Sequence, residues 1–183
     1  MLPKETFIAG IGLLTKCYIG WGFNINDDIQ VGLWYSAFKN LTKEQFISVV
    51  NEYMSNNDYP PKCIKNLTDI IVRRYIAKAK LKPEKAFDTI RSIVGECGGW
   101  EYGRKDIYKK LEAYPTLLET VNEFEDTLKY MSANDPYTAD RFRKAYEANL
   151  IAAAKRRVDK DLGLALPTGD KQALGSGTLP YEQ

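Results

Sequence analysis

No helix can run through Asn57-Asp58-Tyr59-Pro60-Pro61, yet the segments on both sides of this block read as helical. Proline lacks an amide hydrogen and its ring clashes with the preceding turn, while the residue before it is pushed towards extended geometry. The sequence therefore predicts a stiff, aromatic-anchored corner, with one helix ending before it and another opening near Ile64. A second block, Asn134-Asp135-Pro136-Tyr137-Thr138, repeats the idea near the other end of the chain.

The helix before the corner is the clearest in the sequence. Thr42-Lys43-Glu44-Gln45 fits a capping box, with Thr42 at the cap and Gln45 three residues on. Phe46, Val49, Val50, Tyr53 and Met54 then follow a 3.6-residue period. Upstream, a helix is expected over 4–18, where Gly10 and Gly12 would let a neighbour approach closely. Gly20 to Asn24 reads as a turn with aromatic anchors. Asn26 is the expected cap of the next helix, with Asp27 and Asp28 in its first turn. Its predicted apolar face is Ile29, Leu33, Trp34, Ala37, Phe38 and Leu41.

Beyond the corner, Ile64, Leu67, Ile71 and Tyr75 mark a fourth helix ending near Lys80. Pro83 opens a fifth, with Ala86, Phe87, Ile90, Ile93, Val94 and Cys97 on its core side and Gly98-Gly99 as its stop. Trp100 and Tyr102 read as an aromatic turn before a short helix over 104–113. Pro115 opens a seam of Leu117, Val121, Phe124, Leu128 and Met131. A last helix, about 138–158, carries Phe142, Ala145, Tyr146, Asn149, Leu150 and Ala153 on one face. The expected fold is all-α: an N-terminal helical bundle over 1–80, a second helical unit over 83–158, and a flexible tail over 159–183. Lys80-Leu81-Lys82-Pro83 is the expected hinge.

Chemistry is sparse. The chain has no histidine, the side chain most used for acid–base work and for zinc. Its three cysteines, Cys17, Cys63 and Cys97, are far apart and form no CxxC pair, so they read as reduced and buried, in a cytosolic protein. No phosphate-cradling P-loop is present, and Gly10-x-Gly12 lies in a helical pattern with no preceding strand. Asp27-Asp28 reads as helix N-terminal charge rather than a metal site, and Glu123 with Asp126 as a solvated face. No enzymatic activity, cofactor or metal is expected. Phe7 to Leu14 is too short for a signal peptide or a membrane span, which places the protein in the cytoplasm.

An interaction protein remains. Trp100, Tyr102 and Tyr137 sit in predicted turns, where they either meet a partner or plug the ends of a bundle. Arg141, Arg143 and Lys144 open the last helix and Lys155-Arg156-Arg157 close it. Cations stabilise a helix C-terminus in any case; phosphate contact, including weak contact with single-stranded DNA, is the rival reading. Leu162-Gly163-Leu164-Ala165-Leu166-Pro167 is an apolar run that either docks on a partner or folds back.

The order of these pieces resembles the replicative helicase loader/inhibitor proteins of phages of Gram-positive bacteria. The resemblance covers most of 25–158. It rests on Leu33-Trp34, Glu44 to Met54, Asn56 to Pro61, Gly99-Trp100-Glu101-Tyr102, Ser132 to Pro136, and Arg141-Phe142-Arg143-Lys144-Ala145-Tyr146. Asp135 makes the second turn one residue longer than the family's Asn-Pro, and Lys62-Cys63-Ile64 replaces the more familiar Thr-Ile. The resemblance implies a protein that binds the hexameric DnaB-like helicase, inhibits it, and delivers it to a phage origin-binding protein. It implies a rigid N-terminal domain and a gripping segment over 134–157, with Phe142, Tyr146, Leu164 and Leu166 joining the aromatic and basic candidates. A replisome organiser that binds origin DNA directly is the alternative.

Overall fold

The computed structural model describes residues 1–130 and 136–164. These residues form eight helices and no strand: α1 (Lys4–Cys17), α2 (Asp28–Phe38), α3 (Lys43–Asn56), α4 (Ile64–Ala77), α5 (Pro83–Glu96), α6 (Trp100–Leu111), α7 (Pro115–Tyr130) and α8 (Pro136–Leu162). The protein is all-α. Met131, Asn134, Asp135, Leu166 and the Gly-Ser-Gly at 175–177 lie outside the described residues.

The helices before the corner start and stop for local reasons. The capping box forms as predicted: the Gln45 amide donates to Thr42 Oγ1 at 3.2 Å, and the Thr42 amide donates to Gln45 Oε1 at 2.9 Å. The cap of α2 is Asp27, not Asn26; its Oδ1 accepts from the amides of Ile29 at 2.9 Å and Gln30 at 3.1 Å. Asn24 takes the Asn26 amide instead, which leaves the next residue free to cap. The face of α2 also differs from the expected one. Val31, Trp34, Ala37 and Phe38 are buried, whereas Ile29 and Leu33 are exposed. The rotation follows from Trp34, whose ring packs against Trp21 and Phe23 at centroid distances of 5.7 and 5.3 Å. Of the two glycines in α1, Gly10 alone marks a close approach. A Cβ there would come within 2.6 Å of the Phe46 ring, while one on Gly12 would meet nothing within 4 Å.

The corner is anchored by aromatics, but not by its own. Tyr59 is largely exposed, while Pro61 is buried. Backbone carbonyls at a corner that is not helical need other donors. The Tyr18 hydroxyl donates to the Asn57 carbonyl at 2.7 Å and the Tyr53 hydroxyl to the Tyr59 carbonyl at 3.2 Å.

Two apolar cores result. The first is filled from α1 to α4, with Phe7, Phe38, Phe46 and Leu67 fully buried. The second is filled from α5 to α7, around Phe87, Ile107, Leu117 and Val121. Helix α8 belongs to both. Phe142, Tyr146 and Leu150 sit in the second core, and Ala154, Val158 and Leu162 in the first. It therefore runs past the expected end at 158, and the first core is not built from 1–80 alone.

The expected hinge is tied down. Leu81 is buried, and its carbonyl accepts the Tyr146 hydroxyl at 2.9 Å. Lys82 Nζ donates to the Ala77 carbonyl at 2.5 Å, closing the end of α4. Tyr146→Phe leaves that carbonyl buried without its donor, which costs about 1–3 kcal/mol. Burial raises the Tyr146 phenol above its ordinary value, so the neutral form is the one the fold holds. Its stabilisation is full below the unfolded phenol pKa of about 10 and is lost as pH rises towards the higher folded value. Urea unfolding across an alkaline pH series should show a shallower loss for Tyr146→Phe than for the parent.

Two further expectations are corrected. Cys17 and Cys63 are exposed, whereas Cys97 is half-buried and packs against the second core as expected. Cys17 and Cys63 hold helix-end positions, closing α1 and preceding α4, where side chains face outward more readily than mid-helix. Trp100 and Tyr102 lie on α6, not in a turn. Gly98 and Gly99, with φ of +78° and +96°, complete the reversal by themselves, and α6 starts at once.

Candidate functional site

Three of the candidates, Trp100, Tyr137 and Arg141, lie along α7. Trp100, half-buried at the start of α6, forms one wall of an open hollow of about 430 Å³. Ile90, Val94 and Leu128 supply its apolar lining, and Arg91 and Lys129 are cations in its wall. One helical turn before Leu128, the Phe124 ring meets the Arg141 guanidinium at 5.9 Å, and Arg141 also lies 5.7 Å from the Tyr137 ring. Tyr137 and Tyr102 are 69% and 88% exposed, which makes them available to a partner in a way most aromatics here are not. Successive turns of α7 thus carry Leu128 beside Trp100 of α6 and Phe124 beside Arg141 of α8.

The frame behind this surface is held by polar contacts as well as by packing. Glu125 on α7 accepts the Tyr108 hydroxyl at 3.0 Å and faces Arg104 at 2.8 Å and Lys129 at 3.2 Å. Desolvation pushes its carboxyl upward, but Tyr108, Lys129 and Arg104 together outweigh it and hold the group below the usual carboxylate range. The contacts join α6 to α7 with a charge that survives at neutral pH.

Other candidates fall elsewhere. Phe142 is fully buried between the rings of Phe87 and Phe124, at 5.7 and 5.5 Å. Tyr146 is 3% exposed and spends its hydroxyl on Leu81. Neither side chain can touch a partner while the second core is closed, so both are corrected to packing residues. The period that put them on one face of the last helix is the period of its buried stripe. Arg143 is half-buried, with a buried Nε that finds no hydrogen-bond acceptor among the described residues. Leu164 is partly exposed just past α8. At the end of α8, Lys155, Arg156 and Arg157 are all exposed but do different things. Arg156 pairs with Glu119 at 3.0 Å, and Arg157 lies 5.2 Å from the Tyr75 ring.

Sequence reasoning missed two features. Trp21, Phe23 and Trp34 meet Pro60 and Pro61 in one cleft of about 390 Å³, so the tryptophan helix and the Pro-Pro corner are a single spatial unit. Lys78, Lys80 and Arg157 face a second groove with Tyr75 and Tyr114, where the sequence suggested only a hinge. The interleaved lysines at 78, 80 and 82 were the available signal.

Among the described residues, no group of three or more His, Cys, Asp or Glu side chains is gathered where it could hold a metal ion, and no helix is long and apolar enough to cross a membrane. No protein-family model, curated protein or solved structure matches this chain.

Proposed function

We propose that this chain is a non-enzymatic phage replication adaptor. It binds the hexameric DnaB-like replicative helicase, holds it inactive, and delivers it to an origin-bound phage protein. The observation that carries the proposal is the surface along α7: Trp100 walling an open hollow beside Leu128, and Arg141 with Tyr137 beside Phe124, one helical turn earlier on α7. Tryptophan, tyrosine and arginine on a rigid frame are the residue types that dominate protein–protein affinity. The choice of partner rests on the order of the Trp34, Tyr59-Pro60-Pro61 and Arg141 to Tyr146 motifs, which resembles that of helicase loaders.

A loader that hydrolyses nothing can act only by preferring one conformation of the helicase ring over another. Such a preference needs a surface that does not yield. Helix α8, packed into both cores, gives the proposed surface that stiffness. Binding of Tyr102→Ala/Tyr137→Ala to the helicase, measured by calorimetry, tests the assignment. Affinity should fall at least about tenfold, as for loss of a binding hot spot. Stability should stay within about 0.5 kcal/mol, because both rings are exposed. Undiminished affinity would remove both tyrosines from the interface.

A further inference from the structure

We infer that the groove where the two cores meet binds the phosphate backbone of single-stranded nucleic acid. Two hollows, of about 430 and 440 Å³, adjoin across α4, α8 and the start of α7, with Tyr75 and Lys78 in the walls of both. Lys78, Lys80 and Arg157 line the first hollow, and no carboxylate does. The second is lined by Arg74 as well as by one carboxylate, Asp161, which accepts the Tyr75 hydroxyl at 2.5 Å.

Arg74, Lys110, Lys129, Lys144 and Arg156 each have a carboxylate within salt-bridge distance. Lys78, Lys80 and Arg157 have none among the described residues. Three unpaired positive charges in one hollow exceed the formal net charge of +2 carried by the whole chain. Service to the helix dipole does not account for them. Lys82 already donates to the last carbonyls of α4, those of Ala77 and Ile76.

The cations are interleaved with aromatic faces. Lys80 Nζ lies 4.5 Å from the centre of the Tyr114 ring, and Arg157 5.2 Å from that of Tyr75. A positive groove with ring faces in its wall is the pattern that holds single strands, where phosphates meet cations and unpaired bases stack. Duplex DNA keeps its bases stacked on one another and offers the rings no face. The Lys155-Arg156-Arg157 run therefore divides: Arg157 belongs to the groove, Arg156 to Glu119, and Lys155 to solvent. The inference does not depend on helicase binding and stands or falls separately.

Fluorescence anisotropy of a labelled oligothymidylate of about 12 nucleotides, titrated with the full chain at low salt, tests it. Binding should weaken with salt with a log–log slope of about −2, the value for three phosphate contacts on a single strand. Lys78→Gln/Lys80→Gln/Arg157→Gln should lose at least about tenfold and flatten the slope, since each lost contact removes about 0.7 from it. Lys65→Gln/Lys105→Gln/Lys155→Gln removes the same charge from exposed positions outside the groove and should bind like the parent. If the groove triple melts early, Lys78→Gln alone decides, with a loss of about threefold expected from one phosphate contact. No binding by the parent, equal losses in the two triples, no effect of Lys78→Gln, or equal competition by duplex of the same length would each overturn the assignment.

Discussion

Phe142→Ala should cost about 3–5 kcal/mol, the usual loss when a buried phenylalanine is truncated to alanine. Phe142 is fully buried and bridges α5 to α7 through its contacts with Phe87 and Phe124, so the cavity opens where three helices meet. Against a total of about 5–15 kcal/mol for an ordinary domain, the loss takes about a fifth or more of what holds the fold. It should not stay local. The same helix carries Ala154, Val158 and Leu162 into the first core, so loosening α8 at one end withdraws packing at the other. Urea unfolding should show a single transition moved to much lower denaturant. A loss below about 1 kcal/mol would mean that the ring is not enclosed as described.

Gly103→Ala should also be damaging, for a different reason. A Cβ on Gly103 would stand 2.1 Å from the Cys97 carbonyl oxygen and 2.6 Å from Cys97 Cβ. The obstacle is backbone, so no rotamer relieves it. Either α6 moves away or the turn formed by Gly98 and Gly99 gives way, and α6 leaves α5 in both cases. Overpacking typically costs about 1–3 kcal/mol, and a backbone obstacle puts this site at the upper end. The hollow walled by Trp100 should be distorted as well, because Gly99 and Trp100 both line it. Thermal melting compared with Gly12→Ala is the cleanest readout. Gly12 has open space around it, and alanine there should stabilise α1 by about 0.5–1 kcal/mol.

Local chemistry made most of the helices readable from the sequence. Thr42 and Gln45 announce α3, Pro83 and Pro115 open α5 and α7, and Gly98-Gly99 stops α5, because caps, prolines and paired glycines act within a few residues of themselves. What depended on distant partners was not readable. Ile29 and Leu33 fit an apolar period, but the turn of α2 about its axis is set by Trp34 meeting Trp21 and Phe23. Tyr59 looked like the anchor of its corner, whereas Tyr18 supplies a hydroxyl from another helix. The last helix was expected to stop at 158, since the polar stretch after it hides a Leu162 that completes the first core.

The candidate site was legible to the same degree. Tyr102 and Tyr137, expected in turns and open to either a partner or the bundle ends, are exposed but lie on α6 and α8. Phe142 and Tyr146 were misjudged because a buried stripe and a binding stripe on a helix have the same period. The groove cations Lys78 and Lys80 became significant only when α8 brought Arg157 beside them.

The most direct measurement mixes the full chain with a purified hexameric replicative helicase. Size-exclusion chromatography with light scattering is run at low salt, and the helicase ATPase is followed in parallel. A co-eluting complex of defined mass, with a changed ATPase rate, is the predicted result. Separate elution of the two proteins with an unchanged ATPase would contradict the proposed function.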